Sequence, residues 1–155
     1  MAEIALITGA SGGIGEDLAR LMAADGRDLV LLARSAPKLQ ALANELGQSH
    51  GVSATVLAMD LSAPGAADEI AHTLAERHIA VDMLINNAGF GTHGEFAHEN
   101  PAEQSRMLQV NVVALTMLTR LLLPGMIERR RGRILNVAST AAFQPGPVMA
   151  VYYAS

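Results

Sequence analysis

The chain has 155 residues, half of them apolar and only 3% aromatic, with a net charge of −4 and no cysteine. That length suits one domain, of a size that can bury roughly 68–70% of its unfolded surface, and the apolar share argues against disorder. Lack of cysteine excludes disulfides, thiol catalysis and cysteine-bound zinc, and the negative charge gives no general attraction to nucleic acid. No basic stretch precedes the first apolar run, so no signal peptide is expected and a cytoplasmic location is.

Glu3 to Thr8 is a short apolar run ending at Gly9 and reads as a strand. Ile14 to Ala24 carries apolar residues at helical spacing (Ile14, Leu18, Leu21, Met22), and Asp25-Gly26 closes that helix. Asp28 to Ala33 is a second strand, as continuously apolar as burial on both faces requires. Ser35 stands as the N-cap of a helix carrying Leu39, Leu42 and Leu46, with Gly47 near its end. Ser53 to Met59 is a strand, Pro64 to His78 a helix with Ile70 and Leu74 inward, and Val81 to Ile85 a strand. Pro101 to Arg129 is one long helix, which Pro124 is expected to kink or end early. Its most apolar part, Val110 to Ile127, is interrupted by Asn111, Arg120 and Pro124, so a membrane span is not expected. Arg133 to Ala138 is the fifth strand, and Thr140 to Met149 is a loop rich in Pro and Gly.

Strands alternating with helices imply an α/β fold: a doubly wound parallel sheet, Rossmann-like, as a single domain over residues 1–155. Met149 to Ser155 looks like the first turns of another helix, so the C-terminal part is expected to be incomplete.

Thr8-Gly9-Ala10-Ser11-Gly12-Gly13-Ile14-Gly15 joins the first strand to the first helix. Gly9 permits a tight turn, Gly13 lets backbone approach a pyrophosphate, and Gly15 lets the helix pack closely on the strand. Phosphates would then meet the free N–H groups and positive dipole of the helix N-terminus. The spacing differs from G-x-G-x-x-G, and an ordinary strand-to-helix turn is also compatible with it. About 20 residues beyond such a turn, an NAD site places an acid against the ribose 2′-hydroxyl. Here that place falls to Arg34, followed by Ser35 and Lys38. A guanidinium pairs with a 2′-phosphate where a carboxylate would repel it, so the expected cofactor is NADP(H).

Five further features complete a pattern: Asp60-Leu61 after the third strand, Asn86-Asn87-Ala88-Gly89 after the fourth, Asn111 in the long helix, Ser139 after the fifth strand, and Tyr152 beyond it. With T-G-x-x-x-G-I-G, this set resembles the short-chain dehydrogenase/reductase family of the shorter type, over the whole chain. The resemblance implies that Gly9, Ser11, Gly13, Ile14 and Gly15 line the pyrophosphate and that Arg34 faces the 2′-phosphate. It implies Asp60 and Leu61 at the adenine, and Asn87, Ala88 and Gly89 along the ribose. Ser139 would hold the substrate oxygen, Tyr152 would exchange the proton as hydride moves, and Asn111 would position a helix backbone and a relay water. Two adjacent tyrosines at a helix start also suit simple packing; the family register selects Tyr152 over Tyr153.

Reducing a carbonyl builds negative charge on its oxygen, which a serine hydroxyl stabilises. A tyrosine with a pKa of about 10 needs a nearby cation for base chemistry near neutral pH. The family supplies it in a Tyr-x-x-x-Lys pattern, and this chain stops at Ser155, before that lysine. The expected parent is therefore an NADP(H)-dependent oxidoreductase acting on a small carbonyl or alcohol substrate, with this chain as its cofactor-binding portion. Cofactor binding without turnover is the alternative. A methyltransferase would want an acid in place of Arg34, and no G-x-S-x-G elbow supports a serine hydrolase.

No metal site is expected. His93 and His98 in the loop after the fourth strand lack the spacing of ligands and are expected at the surface. Arg129, Arg130, Arg131 and Arg133 sit at the end of the long helix, where the helix dipole accounts for them. The long helix has a broad apolar face (Met107, Leu108, Leu115, Leu118, Leu122), part for the sheet and the rest offered as a homo-oligomer interface.

Overall fold

The computed structural model describes residues 2–155. The elements run β1 (Ile4–Thr8), α1 (Gly13–Ala24), β2 (Asp28–Ala33), α2 (Ala36–His50), β3 (Ala54–Ala58), α3 (Ala66–Glu76), β4 (Met83–Asn86), α4 (Pro101–Leu108), a π-helical segment (Gln109–Ala114), α5 (Leu115–Glu128), β5 (Arg133–Asn136), a 3₁₀ turn (Thr140–Phe143) and α6 (Ala150–Ala154). The five strands are all parallel, in the order β3-β2-β1-β4-β5. The winding direction reverses between β1 and β4, so the carboxyl ends of these two strands open a crevice.

Alternation along the strands divides the core between the two faces of the sheet. Leu6, Val30, Leu32, Leu57 and Leu84 pack with Ile70 and Leu74 of α3 and with Ala114, Leu118 and Met126 of the long helix. Ala5, Ile7, Leu29, Leu31 and Ile85 pack instead with Ala19 and Ala23 of α1 and with Leu39, Leu42 and Leu46 of α2. The small residues on α1 let that helix lie close to β1, beside the turn it emerges from.

One expectation needs correction. Pro124 lies inside α5 without ending it, and the helix continues to Glu128. Loss of one N–H is tolerated there while Leu118 and Met126, on either side, are anchored in the core. The irregularity falls earlier, in the π-helical segment around Asn111. As expected, Gly47 lies near the end of α2, and Gly51, with φ +70°, provides the left-handed C-cap, its N–H donating to the Gly47 carbonyl. Two members of the arginine cluster, Arg129 and Arg131, also meet Asp82. Arg131 grips both oxygens of that buried carboxylate at 3.0 and 2.8 Å, and the Ile4 N–H donates to it at 3.1 Å. Arg129 donates to the Val81 carbonyl at 2.8 Å, so the end of the long helix is tied to the base of the sheet.

The continuous helical stretch Pro101–Glu128 is long and apolar enough to cross a membrane by length and composition alone. Met107, Val110, Ala114, Leu118 and Met126 on it are buried in this fold. Leu108, which was expected on the apolar face, is among its exposed residues.

Asp82→Ala is expected to lower the urea midpoint by the equivalent of about 1–2 kcal/mol. The half-exposed Arg131 can return to water, which keeps the loss below that of a fully buried pair.

Candidate active site

The glycine-rich turn leaves β1 and enters α1 with an unobstructed backbone. The N-cap is Gly12, and no side chain caps the first N–H groups of α1. Those groups are therefore available to an anion, aided by the helix dipole. Gly9 has φ +70°, and a Cβ there would lie 3.0 Å from the Ala88 Cα. At Gly15 a Cβ would collide with the Gly9 carbonyl, so that position sets the closeness of helix and strand. Nothing lies within 4 Å of a Cβ added at Gly12 or Gly13, which leaves the mouth of the turn open.

Thr8 fixes this turn to the next one. It is buried, and its hydroxyl accepts from the backbone N–H groups of Asn87 and Ala88, both at 2.9 Å. It donates in turn to the Ile85 carbonyl at 3.3 Å. The Asn87 side chain donates to the Thr8 carbonyl at 2.9 Å. Asn87, Ala88 and Gly89 are thus locked beside Gly9.

A cavity of about 520 Å³ opens beside this junction. Of the candidate residues, Gly9, Ser11, Arg34, Asp60, Leu61, Ala88 and Gly89 line it, together with Ser35, Lys38, Ser62 and Arg106, whereas Gly13 and Gly15 do not. Ser35 is the N-cap of α2 by position, yet its hydroxyl makes no capping bond. Pro37, in the first turn of that helix, leaves one donor fewer to cap, and among the described residues the Ser35 hydroxyl has no hydrogen-bond partner beside Arg34 and Lys38. Asp60 accepts on one oxygen from the Ser62 N–H at 2.9 Å and the Ser62 hydroxyl at 2.8 Å. The Ser62 backbone bond holds its carboxyl below the ordinary carboxylate range. Partial burial opposes this, and the Ser62 hydroxyl and the charges of Arg34 and Arg106 reinforce it.

Ala88, Gly89 and Phe90 also line a second cavity, of about 520 Å³, so the two spaces adjoin. Ile14, Asn87, Asn111, Ser139, Tyr152 and Tyr153 line the second one. The Ser139 oxygen accepts from the Ala141 N–H at 3.1 Å, capping the 3₁₀ turn and leaving the hydroxyl proton to donate elsewhere. The half-buried Tyr152 ring packs over Gly91, where a Cβ would lie 3.0 Å from it. Among the described residues no hydrogen bond joins the Ser139 and Tyr152 hydroxyls, and no Lys or Arg lines this cavity. Asn111 spends both ends of its amide on Phe90, accepting from its N–H at 3.1 Å and donating to its carbonyl at 3.0 Å. It also donates to the Ser155 hydroxyl at 3.1 Å. The π-helical segment around it is the type of helix irregularity often found at functional sites. His93 and His98 lie at the surface, and among the described residues no cluster of His, Asp and Glu could hold a metal ion.

Thr8, Ser62 and Arg106 were not singled out from the sequence. A threonine before the glycine turn was visible as part of the motif. Its hydroxyl bonds depend on a strand pairing that no local pattern encodes.

The fold and the site together define a doubly wound α/β domain that joins a glycine-rich turn with an uncapped helix N-terminus to a cavity lined by a serine and two tyrosines. The sequence matches the short chain dehydrogenase family over residues 3–155, and the chain belongs to that family. It is 38% identical over 156 residues to a very-long-chain 3-oxoacyl-CoA reductase of Phaeosphaeria nodorum, covering 97% of this chain and 46% of that one. A short-chain dehydrogenase from Sphingobium yanoikuyae in complex with NADPH superimposes with a TM-score of 0.91 at 36% identity, covering 98% of this chain and 59% of the other. L-sorbose reductase from Gluconobacter frateurii, complexed with NADPH and L-sorbose, gives 0.92 at 31% identity, covering 99% and 58%. The chain spans about half the length of the curated relatives it matches.

Gly15→Ala is expected to destabilise the fold by about 1–3 kcal/mol in urea denaturation, because the turn must open. Gly12→Ala should cost far less, since open space surrounds that position. Asp60 has a lowered folded pKa, so its contribution to stability is complete above its unfolded value of about 4 and is lost as pH falls through the folded value. Urea midpoints of Asp60→Asn should therefore fall less steeply than those of the unaltered chain as pH drops below about 4.

Proposed function

We propose that this chain holds NADP(H) and forms the cofactor half of an oxidoreductase that interconverts a carbonyl and an alcohol. The observation that carries this reading is the adjacency of the two cavities across Ala88, Gly89 and Phe90. One is lined by phosphate donors, the other by Ser139 and Tyr152. The residues fit the cofactor: α1 has an uncapped N-terminus, the turn has no Cβ at its mouth, and Arg34, free Ser35 and Lys38 gather at one wall. Three donors of that kind suit a 2′-phosphate, and none is the carboxylate a plain ribose would want.

When bound, the cofactor supplies or accepts the hydride. The chain's own residues handle the oxygen. Ser139, with its lone pair engaged by Ala141, directs its proton to the substrate oxygen and stabilises the developing charge. Tyr152 gives that oxygen a proton in reduction and removes it in oxidation. Asn111 braces Phe90 and the loop that carries Gly91, on which the Tyr152 ring rests. The substrate is a small molecule, in keeping with the L-sorbose of one relative. A cytoplasmic location fits the cysteine-free composition. Leu108, Val112, Val113, Met117 and Ile127 on the long helix offer an apolar surface to a second copy.

The alternative reading is that this chain binds the cofactor without turnover. Titration of the chain with NADPH and NADH tests the cofactor reading, with NADPH expected to bind at least about tenfold more tightly. Arg34→Asp should erase or reverse that ratio, and an unchanged ratio would remove Arg34 from the site. Turnover of a generic aromatic ketone with NADPH separates the two readings. If it is seen, Tyr152→Phe should abolish it and leave NADPH affinity unchanged. If it is absent while NADPH binds, the chain is a binding module.

A further inference from the structure

Lys38 borders two spaces. It lines the first cavity with Arg34 and Ser35, and it lines a smaller one of about 320 Å³ with Ser11, Gly12, Glu16, Arg20 and Glu45. Ser11 belongs to both spaces, so the smaller one opens at the mouth of the glycine-rich turn. Its walls are the facing sides of α1 and α2. Lys38, Leu42 and Glu45 fall on one face of α2, and Glu16 and Arg20 stand one turn apart on α1.

Two carboxylates therefore lie beside the ground prepared for phosphate, and Glu16 is in the first turn of the very helix whose uncapped N–H groups face an anion. Unanswered, they would repel phosphate and offer the Lys38 ammonium two competing partners. Arg20 answers both. One guanidinium nitrogen donates to Glu16 at 2.7 Å, and the other donates to Glu45 across the gap between the helices. Among the described residues Glu16 and Glu45 pair with Arg20, and Lys38 pairs with neither. Arg20 itself does not line the first cavity. With Lys38 the four charges of this gap sum to zero, and without Arg20 they sum to −1, next to a ligand group that carries close to two negative charges.

Resting on the NADP(H) reading above, we propose that Arg20 is a positioning residue that determines specificity for the 2′-phosphate without touching it. By occupying Glu16 and Glu45 it leaves the Lys38 ammonium to the first cavity. The pyrophosphate is common to NADPH and NADH, so its repulsion by the two carboxylates cancels in the ratio of their affinities. The 2′-phosphate is present in NADPH alone, and the ratio therefore reads what Lys38 does.

The test titrates the unaltered chain, Arg20→Gln and the triple variant Arg20→Gln/Glu16→Gln/Glu45→Gln with NADPH and NADH. Arg20→Gln is expected to lower the NADPH-to-NADH affinity ratio about fivefold at about 20 mM salt and less than about twofold at about 0.5 M, where charges are screened. The triple variant has no ion pair left between α1 and α2, yet its ratio should return to within about twofold of the unaltered one, because the carboxylates are gone too. An unchanged ratio in Arg20→Gln would overturn the proposal. A ratio that stays low in the triple variant would make Arg20 a staple between helices and overturn it as well. If Arg20→Gln fails to fold, Glu16→Gln/Glu45→Gln carries the test: its ratio should rise about twofold with Arg20 released, and a ratio that holds or falls counts against the proposal. Failure of the unaltered chain to bind NADPH would sink the cofactor reading and this inference with it. A preference for NADPH that is indifferent to Arg20 would sink this inference alone.

Discussion

The Thr8 hydroxyl holds together the two turns from which the rest of the site is built. β1 and β4 are neighbours in the sheet, but their chains diverge at their carboxyl ends, where α1 and the loop toward α4 leave in different directions. Two backbone N–H groups would be left unmatched at that parting. Thr8 accepts both and passes its own proton to Ile85, so a buried polar cluster is satisfied by a single side chain. With Asn87 returning a bond to the Thr8 carbonyl, the glycine turn and the Asn87–Gly89 segment become one rigid ledge. Each cavity opens on one side of it.

The rest of the site is organised by helices used as braces. Asn111 secures Phe90 from the π-helical segment, and Arg106 reaches Ser62 from one turn earlier on the same helical stretch. At the opposite end, Arg129 and Arg131 moor that stretch to Val81 and Asp82. The long helix is therefore fixed at its foot, and at its middle Thr119 accepts from the Asn86 amide at 3.1 Å. This suits a scaffold in which loops at the carboxyl edge of the sheet carry chemistry and rigid elements set their positions.

Much of this was legible in the sequence, because the relevant signals are local. Apolar runs, helical periodicity and the glycine spacing fall within a few residues, and they yielded five strands in the observed places with ends shifted by a residue or two. Arg34 was legible because its distance from the turn is set by the length of one helix. Contacts between distant segments were not. Thr8 meets Asn87, Arg131 meets Asp82 and Arg106 meets Ser62 only after the sheet is assembled. Pro124 misled because a lost N–H matters less in a helix whose neighbours Leu118 and Met126 are already anchored. The free Ser35 hydroxyl was hidden for the opposite reason: its position is that of a cap, and only geometry shows the cap unused.

Finally, among the described residues β5 has a hydrogen-bonded neighbour on one side alone, and every residue of it is exposed. Ile134 and Leu135 present apolar side chains beside a row of unpaired backbone donors and acceptors. Such an edge is a template for any other extended strand, and Arg133 is the single charge within it to discourage pairing. Among the described residues β5 is thus the side at which the sheet stands ready to accept a further strand, while β3 bounds the other.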